Sequence, residues 1–307
     1  MLRFDYLEAR NLRQAISLLQ RHGEDARLVA GSTDFLVRWR QGFWRPSCVV
    51  NIKGISSLRR ITYSARNGLN LGALATVQAI ELDPRIRRYY EALATGATSF
   101  AGVQVRNLAT VGGNVCNASP AGDTLPALLA FDAQCNIAGP EGARTLPLTE
   151  FFRGPGRTAL STGEVLTGLK LPPPQPRTGS LYIKHSPRGA MDIATVGVAS
   201  VLTLEDDGRT CKDARIALGA VGPVPFRASA AEAVLKGKEV TADLLAEAAN
   251  EARNQATPID DVRGSADYRK EMVEALTNRT LQYAFRMARG ERLSFEEQRR
   301  LAVQTAF

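Results

Sequence analysis

The chain has 307 residues, of which 44% are hydrophobic and 23% are charged. This composition is typical of a globular protein that is long enough for two domains. The net charge of +8 is spread along the chain. Because no recognition-helix, RNP-type or zinc-finger pattern accompanies it, nucleic-acid binding is not expected. No apolar run approaches the roughly 20 residues that cross a bilayer, and the N-terminus lacks a signal-peptide pattern. We therefore expect a cytoplasmic protein without a membrane span.

The first part of the chain alternates helical and strand patterns. Apolar residues at helical spacing predict a first helix from Leu12, with Gly23 placed where a C-terminal cap is needed. A helix is also predicted over residues 85–98. A stretch rich in glycine and asparagine follows, from Ala101 to Asp123, and such a stretch in a compact domain is usually functional. Short strands are predicted at residues 27–30, 48–52 and 69–73.

The proline-rich segment Leu171–Pro176 predicts an extended linker, because proline continues neither a helix nor a central strand. Strands are predicted beyond it, at 181–186, 194–204 and 211–218. Helices follow from Thr241, as the N-cap, and from Ala266. Strands first and helices last indicate an α+β domain. We expect a first domain over 1–176, with subdomains of about 1–55 and 56–176, a second over 177–290, and a tail over 291–307.

The segment Ala30–Leu36 combines small residues with a preceding strand. Successive backbone N–H groups after such a strand form a nest that suits a pyrophosphate, with the Ser32 and Thr33 hydroxyls as further donors. An ordinary turn, in which a serine or Asp34 caps the next helix, is the alternative interpretation. The spacing alone leaves both open.

A second glycine-containing segment is Thr110–Asn114. Its adjacent Gly112 and Gly113 permit a close approach of the backbone to a ligand. Asp123, a few residues later, precedes an apolar run. It either caps the helix that this run predicts or accepts a hydrogen bond from a ribose hydroxyl, and the spacing does not decide between these roles.

Other motifs are absent or misleading. Gly154–Ala159 matches G-x-G-x-x-A, but no clear strand precedes it and no acidic residue stands about 20 positions later, so we reject a Rossmann site. No P-loop, zinc-protease or nucleophile-elbow motif occurs. The two histidines and four dispersed cysteines predict no metal site and no disulfide scaffold in this chain. We interpret Cys116 as buried and unreactive, since no histidine is near it in sequence.

Taken together, these segments resemble the FAD-binding (medium) subunit of the molybdenum hydroxylase, or xanthine dehydrogenase, family. The similar segments occur in the family's order and span most of residues 1–290. They are Ala30–Leu36, Gln104–Asn107, Thr110–Asn114, Ser119–Asp123, Lys184–Arg188, Met191–Ala194, Ala217–Val221, Arg263–Ala266 and Tyr268–Arg269.

The resemblance implies an α+β fold with a vanillyl-alcohol-oxidase-type (PCMH-type) FAD-binding domain of two α+β subdomains. A C-terminal α+β domain like that of the carbon monoxide dehydrogenase flavoprotein would follow. Residues 29–36 and 110–114 would hold the pyrophosphate and ribityl chain, and Asp123 the adenosine side. Val165 and Leu166 would pack near the adenine, and Lys184 would lie near the isoalloxazine carbonyl. The implied cofactor-binding residues are Val29, Ala30, Gly31, Ser32, Thr33, Asp34, Phe35, Leu36, Ala101, Thr110, Val111, Gly112, Gly113, Asn114, Asp123, Val165, Leu166 and Lys184, and no residue is assigned a catalytic or metal-binding role.

Departures from the family pattern narrow the subfamily. Ser32 replaces the usual second glycine, which adds a hydroxyl and restricts the backbone to conformations that non-glycine residues adopt. The four-cysteine insertion of benzoyl-CoA reductase-type subunits is absent, and Ser32-Thr33 is unlike the G-H-S form of carbon monoxide dehydrogenase. The run Arg188–Ile193 is most similar to bacterial xanthine dehydrogenase FAD subunits.

The implied function is electron transfer within a heteromeric complex. Such a complex has a large molybdopterin-binding subunit and a small [2Fe–2S] subunit, assembled as a dimer of heterotrimers. FAD in this chain would receive electrons from the [2Fe–2S] clusters and pass them to an acceptor such as NAD. The alternatives are a free-standing flavoprotein oxidase of the same fold, the FAD subunit of a carbon monoxide dehydrogenase or aryl-CoA reductase-type complex, and a basic binding protein without a cofactor.

Overall fold

The computed structural model of the protein describes residues 3–189 and 191–305. Residues 1, 2, 190, 306 and 307, which include the ends of the predicted first domain and tail and one position of the 188–193 run, lie outside the described residues. The helices are α1 (Leu12–His22), α2 (Phe35–Arg40), α3 (Val77–Leu82), α4 (Pro84–Tyr89), α5 (Glu91–Ser99), α6 (Val103–Leu108), α7 (Val111–Asn117), α8 (Leu125–Ala130), α9 (Leu148–Phe151), α10 (Ser229–Leu235), α11 (Ala242–Gln255), α12 (Ala266–Ala288) and α13 (Phe295–Ala302). The strands are β1 (Asp5–Glu8), β2 (Ala26–Val29), β3 (Cys48–Asn51), β4 (Ile61–Ser64), β5 (Gly68–Gly72), β6 (Gln134–Gly139), β7 (Gly142–Pro147), β8 (Phe152–Gly154), β9 (Arg157–Thr158), β10 (Val165–Leu171), β11 (Thr178–Ser186), β12 (Val196–Leu204), β13 (Cys211–Gly219), β14 (Phe226–Arg227) and β15 (Val303–Thr305).

A parallel sheet of order β1-β3-β2 forms the N-terminal layer. Helix α1 begins where the Asn11 side chain accepts a hydrogen bond from the Gln14 amide, at 2.9 Å. It ends at Gly23, whose positive φ of 59° confirms the predicted cap region. Its Ala15 and Leu19 pack in one core with residues of β3. This layer ends at the loop between β2 and α2, which positions the first candidate segment.

An antiparallel sheet of order β4-β5-β10-β6-β7 forms the second layer, with α3 to α8 packed around it. The predicted single helix over residues 85–98 is wrong, because the chain forms α4 and α5 with Tyr90 between them. Tyr90 has φ −138° and ψ 53°, outside the helical region. Its buried hydroxyl donates to the Pro172 carbonyl at 2.9 Å, so the break places the tyrosine against the linker.

The third sheet, of order β14-β13-β12-β11-β15, is covered by α10 and α12, and α11 packs against both of these helices. The predicted N-cap is confirmed, since the Thr241 hydroxyl accepts from the Leu244 amide at 3.2 Å. Ser265 caps α12 in the same way, through the Tyr268 amide. At the far edge, β15 runs parallel to β11 and pairs with it from Lys184 to Ser186.

Helix α5 joins the second and third layers. All nine of its residues are buried. The Ala92 amide donates to the Ser180 hydroxyl, and the Tyr182 amide donates to the Thr95 hydroxyl, each at 3.1 Å. Two bonds therefore tie α5 directly to β11.

Ion pairs reinforce the same junction, since Asp132 pairs with Arg215 at 2.9 Å and with Arg227 at 2.6 Å. The predicted domain limits of 176, 177 and 290 stay predictions. Within the described parts of the chain, no helix combines the length and the apolar character that a membrane crossing requires.

Candidate functional site

The first candidate segment is the loop between Val29, the last residue of β2, and Phe35, the first of α2. Val29 and Phe35 are buried and pack against Trp39 and Trp44. Residues 30–33 are partly exposed, and Leu36 is 49% exposed. Within the described chain, no protein acceptor pairs with the backbone N–H groups of residues 31–35. Successive unpaired amides of this kind form a nest that can bind an anion.

Ser32 departs from the expectation drawn from its sequence. It has a φ of 61°, the left-handed conformation that glycine adopts most readily. The serine therefore keeps a glycine-like backbone instead of restricting it, and its hydroxyl donates to the Ala30 carbonyl at 3.3 Å. The loop conformation does not depend on a glycine at this position.

Gly31 brings the two candidate segments together. A Cβ atom at Gly31 would overlap the carbonyl oxygen of Leu108 and lie 2.9 Å from the Ala109 Cα. These are backbone atoms, which have no room to yield. The loop of residues 31–35 is therefore in contact with the residues that immediately precede Thr110.

The second segment uses its backbone differently from the expectation. The amides of Val111 and Gly112 donate to the carbonyls of Ala75 and Ala73, each at 2.9 Å, and the Gly113 amide donates to the Thr110 hydroxyl at 3.1 Å. The first two bonds join α7 to the turn after β5, and the third caps α7, so none of these three amides is free to bind a ligand. The glycine at 112 serves this packing, because its Cβ would lie 2.6 Å from that of Ala73. An anion therefore has free backbone donors in the first segment and not in these three residues.

Side chains supply the polar groups of the second segment. The Asn114 amide donates to the Thr124 hydroxyl at 2.7 Å. Asn117, one turn further along α7, has a buried side-chain oxygen without a hydrogen-bond partner, a state that normally costs free energy. Asn117 was not among the residues identified from the sequence, although its position three residues after Asn114 places both on one face of the helix.

Asp123 and Lys184 form a buried ion pair across the junction. Lys184 Nζ lies 2.9 Å from Asp123 Oδ2, and the lysine is 1% exposed. Its ammonium also donates to the carbonyls of Ser99, at 3.2 Å, and Asp192, at 2.6 Å. An ammonium has three N–H donors, so all of them are used. Contact between Lys184 and a ligand carbonyl therefore requires one acceptor to move.

Asp123 does not cap α8, and the hydrogen bond from a ribose hydroxyl stays a prediction. Thr124 occupies the N-cap position of α8, without a side-chain cap, and the Asp123 carboxylate binds Lys184 and the Tyr182 hydroxyl, the latter at 3.1 Å. Burial raises the pKa of Asp123 to about 6, against the lowering effects of Lys184 and Tyr182. The carboxylate holds β11 against the chain that follows the second segment.

The remaining predicted residues lie at the edges of these two groups. Ala101 follows α5, next to the Lys184 acceptor Ser99, and has a φ of 40°. Val165 and Leu166 begin β10 and are buried, Val165 in the core of the parallel sheet and Leu166 in that of the antiparallel sheet. Residues 29–36 thus contact Leu108 and Ala109, just before residues 110–114, while Ala101, Asp123 and Lys184 form a second group at the end of α5.

Two further expectations concern reactive groups. Cys116 is only partly buried, so the predicted burial is wrong in part. Desolvation still raises the pKa of its thiol to about 12, so the thiol is protonated at neutral pH, as expected of an unreactive cysteine. The segment Gly154–Ala159 contains the turn between the antiparallel strands β8 and β9. The next element is strand β10, so the segment does not lead into a helix as a Rossmann motif does. Among residues 3–189 and 191–305, no group of three or more histidine, cysteine or acidic side chains is arranged to hold a metal ion.

The comparisons with known proteins agree with this architecture. Residues 2–174 match the family model described as the FAD binding domain in molybdopterin dehydrogenase. The chain belongs to this family. Residues 181–284 match a second model, the CO dehydrogenase flavoprotein C-terminal domain. The molybdopterin dehydrogenase family membership makes the chain an FAD-binding oxidoreductase subunit and confirms the resemblance and the fold class predicted from the sequence.

Individual members of the family are similar over nearly the whole chain. The chain is 32% identical over 287 residues to the putative xanthine dehydrogenase FAD-binding subunit of Escherichia coli (strain K12), covering 93% of this chain and 97% of that protein. It is 32% identical over 283 residues to the carbon monoxide dehydrogenase medium chain of Hydrogenophaga pseudoflava, covering 92% and 97%. The solved carbon monoxide dehydrogenase of Hydrogenophaga pseudoflava superposes with a TM-score of 0.88 at 34% identity, over 94% of this chain and 98% of that chain. Quinoline 2-oxidoreductase from Pseudomonas putida 86 superposes with a TM-score of 0.86 at 30% identity, over 94% and 98%.

Proposed function

We propose that this chain is the FAD-carrying electron-transfer subunit of a heteromeric molybdenum hydroxylase. In this proposal it receives electrons from [2Fe–2S] clusters of a small partner subunit and passes them to an external acceptor. A large partner subunit carries the molybdopterin cofactor and the substrate. The observation that carries the proposal is the contact between the loop of unpaired amides, residues 31–35, and the segment before Thr110.

The free amides of the first segment suit the diphosphate of FAD, because consecutive N–H groups bind phosphate oxygens without a counter-ion. The Thr110 hydroxyl and the unpaired Asn117 oxygen offer polar groups from α7. Val165 and Leu166 supply an apolar wall for the adenine. FAD, when bound, supplies a carrier that accepts electrons from one partner and releases them to another.

Lys184 places a positive charge at the other end of the site, where it would stabilise negative charge on a reduced flavin. In the absence of a ligand, Asp123 and two carbonyls hold this ammonium in place. The Asp192 carbonyl belongs to the loop between β11 and β12; among its described residues, the Thr195 amide, at the far end of the loop, donates to the His185 carbonyl of β11 at 2.9 Å. We propose that this acceptor is the one that yields.

The subfamily proposal is a xanthine dehydrogenase-type complex, supported by the run Arg188–Ile193. Overall identity does not separate the subfamilies, because the chain is 32% identical both to the Escherichia coli protein and to the carbon monoxide dehydrogenase medium chain. NAD as the acceptor, a dimer of heterotrimers and a cytoplasmic location complete the proposal.

The test compares the chain expressed alone with the chain co-expressed with its genomic neighbours. The chain alone is expected to bind FAD stoichiometrically and to show at most NADH–dye reductase activity. Co-expression is expected to yield a complex with molybdopterin and iron–sulfur absorption that hydroxylates an organic substrate. Hydroxylation by the chain alone would refute the division of labour and favour a free-standing flavoprotein oxidase.

A further inference from the structure

Arg106 belongs to α6, and its buried side chain lies against the C-terminal end of α5. It is 5% exposed, and its Nη1 donates to the carbonyls of Thr98 at 3.2 Å, Phe100 at 3.1 Å and Ala101 at 3.1 Å. The last carbonyls of a helix have no partner within the helix. A cation there satisfies them and also complements the negative end of the helix dipole. Arg106 therefore fixes the turn that leads out of α5.

Glu81 in α3 supplies the counter-charge. Its Oε2 lies 2.8 Å from Arg106 Nε, and both side chains are 6% exposed. A buried guanidinium without a carboxylate would carry a large desolvation cost. The Arg106 Nε donates to the Gln78 side-chain oxygen at 3.4 Å. Among the described residues, Glu81 Oε2 has no hydrogen-bond partner, so the carboxylate acts on the guanidinium through its charge. The pair thus joins α3 to the end of α5.

The turn held by this pair carries parts of the flavin site. Ser99, at the end of α5, provides a carbonyl for the Lys184 ammonium. Ala101 has a φ of 40°. Residues other than glycine adopt this backbone conformation only when the surrounding structure imposes it. The turn then enters α6, whose last residue, Leu108, contacts Gly31.

We propose that the Glu81–Arg106 pair is the positioning pair of the flavin site. It holds the turn after α5, in which Ala101 has a left-handed φ, and so sets the positions of Lys184 and the first candidate segment. Neither side chain needs to touch the cofactor. The inference rests on the proposed binding of FAD by this chain.

The main test is a double variant, Glu81→Leu with Arg106→Met, in the full-length chain. Replacing a buried ion pair by apolar residues of similar volume often leaves a fold intact. We expect the double variant to fold, to bind FAD about tenfold more weakly, which is about 1.4 kcal/mol, and to change the visible circular dichroism of the bound flavin. A merely structural pair would alter thermal stability and leave that spectrum unchanged. The control is the double variant Glu274→Leu with Arg253→Met, which removes an ion pair of 3.0 Å between α12 and α11. It should change neither the affinity for FAD nor the circular dichroism of the bound flavin.

Wild-type affinity and spectrum in the folded double variant would overturn the proposal. If the double variant does not fold, Glu81→Gln provides the same comparison, because glutamine keeps the shape of the side chain beside Arg106 and removes its charge. An unchanged flavin spectrum in that variant would also overturn it. Failure of the wild-type chain to bind FAD would instead contradict the proposed function, so the two failures are distinguishable.

Discussion

Glu91 offers a test of the junction between the two domains. It begins α5, is 4% exposed, and its carboxylate contacts the Ser180 hydroxyl and Arg292 Nη1, each at 3.3 Å. Burial raises the pKa of Glu91 from 4.5 to about 7, and Arg292 and Ser180 offset this only in part. The perturbation is Glu91→Gln, which resembles the protonated side chain in shape and carries no charge.

The sign of the effect follows from the two pKa values. Between pH 4.5 and about pH 7 the unfolded chain has lost the Glu91 proton while the folded chain retains it. The contribution of Glu91 to the free energy of unfolding is therefore fully present below pH 4.5, and it is lost as the pH rises to about 7. The loss is at most about 3 kcal/mol, because each pH unit corresponds to about 1.4 kcal/mol. We expect Glu91→Gln to be more stable than the parent by about 1–3 kcal/mol near pH 8, with the advantage disappearing near pH 4.5.

The assay is urea denaturation of the parent and the variants at several pH values between about 3 and 8, which extends below the ordinary glutamate pKa of 4.5. Glu164→Gln is the matched control with the opposite sign, because a hydrogen bond from Arg144, 2.7 Å away, lowers the pKa of Glu164. That variant should be less stable than the parent near pH 8, with the deficit shrinking as the pH falls through the Glu164 pKa. A Glu91→Gln difference that is independent of pH, or that favours the parent near pH 8, would refute the reasoning.

Three further predictions concern the candidate site. Gly31→Ala should abolish FAD binding, measured by equilibrium dialysis, because its Cβ overlaps a backbone carbonyl; Gly54→Ala, where the nearest atom is 4.0 Å away, should not. Ser32→Gly should change the free energy of unfolding by less than about 1 kcal/mol, whereas Ser32→Val should destabilise by about 2 kcal/mol, because a β-branched residue fits poorly at a positive φ; equal effects in urea denaturation would contradict this. Lys184→Met should destabilise by about 3–5 kcal/mol, because the Asp123 carboxylate is left buried and unpaired. Adding Asp123→Leu should recover much of that loss, and no recovery in the double variant would count against the ion pair as the cause.

The sequence predicted elements well where the signal is local. The Thr241 cap, the cap region at Gly23 and the position of β13 follow from a few neighbouring residues. The break at Tyr90 could not be predicted in this way, because residues 85–98 have helical spacing throughout. It depends on a hydrogen bond to Pro172, 82 positions away, and only the folded chain brings that carbonyl within reach.

The sequence indicates which segments are candidates for the site, but it does not indicate the hydrogen bonds that these segments form. Gly31, which a motif identified, contacts Leu108, which lies between the segments Gln104–Asn107 and Thr110–Asn114 and far from Gly31 in the chain. Paired glycines at 112 and 113 favour a ligand-binding bend, yet the carbonyls that occupy their amides come from residues 73 and 75 and from the cap. Two of the three acceptors of Lys184, at Ser99 and Asp123, likewise lie 85 and 61 positions away in the chain, so nothing local in the sequence indicates that all three of its N–H donors are used.

Helix α5 is buried on every side, which constrains how the molecule can move. Rotating or sliding such a helix would disrupt two cores and the bonds to β11 at once. A hinge between the two halves of the chain is therefore unavailable at low energy. Adaptation to a ligand is therefore confined to the connecting loops.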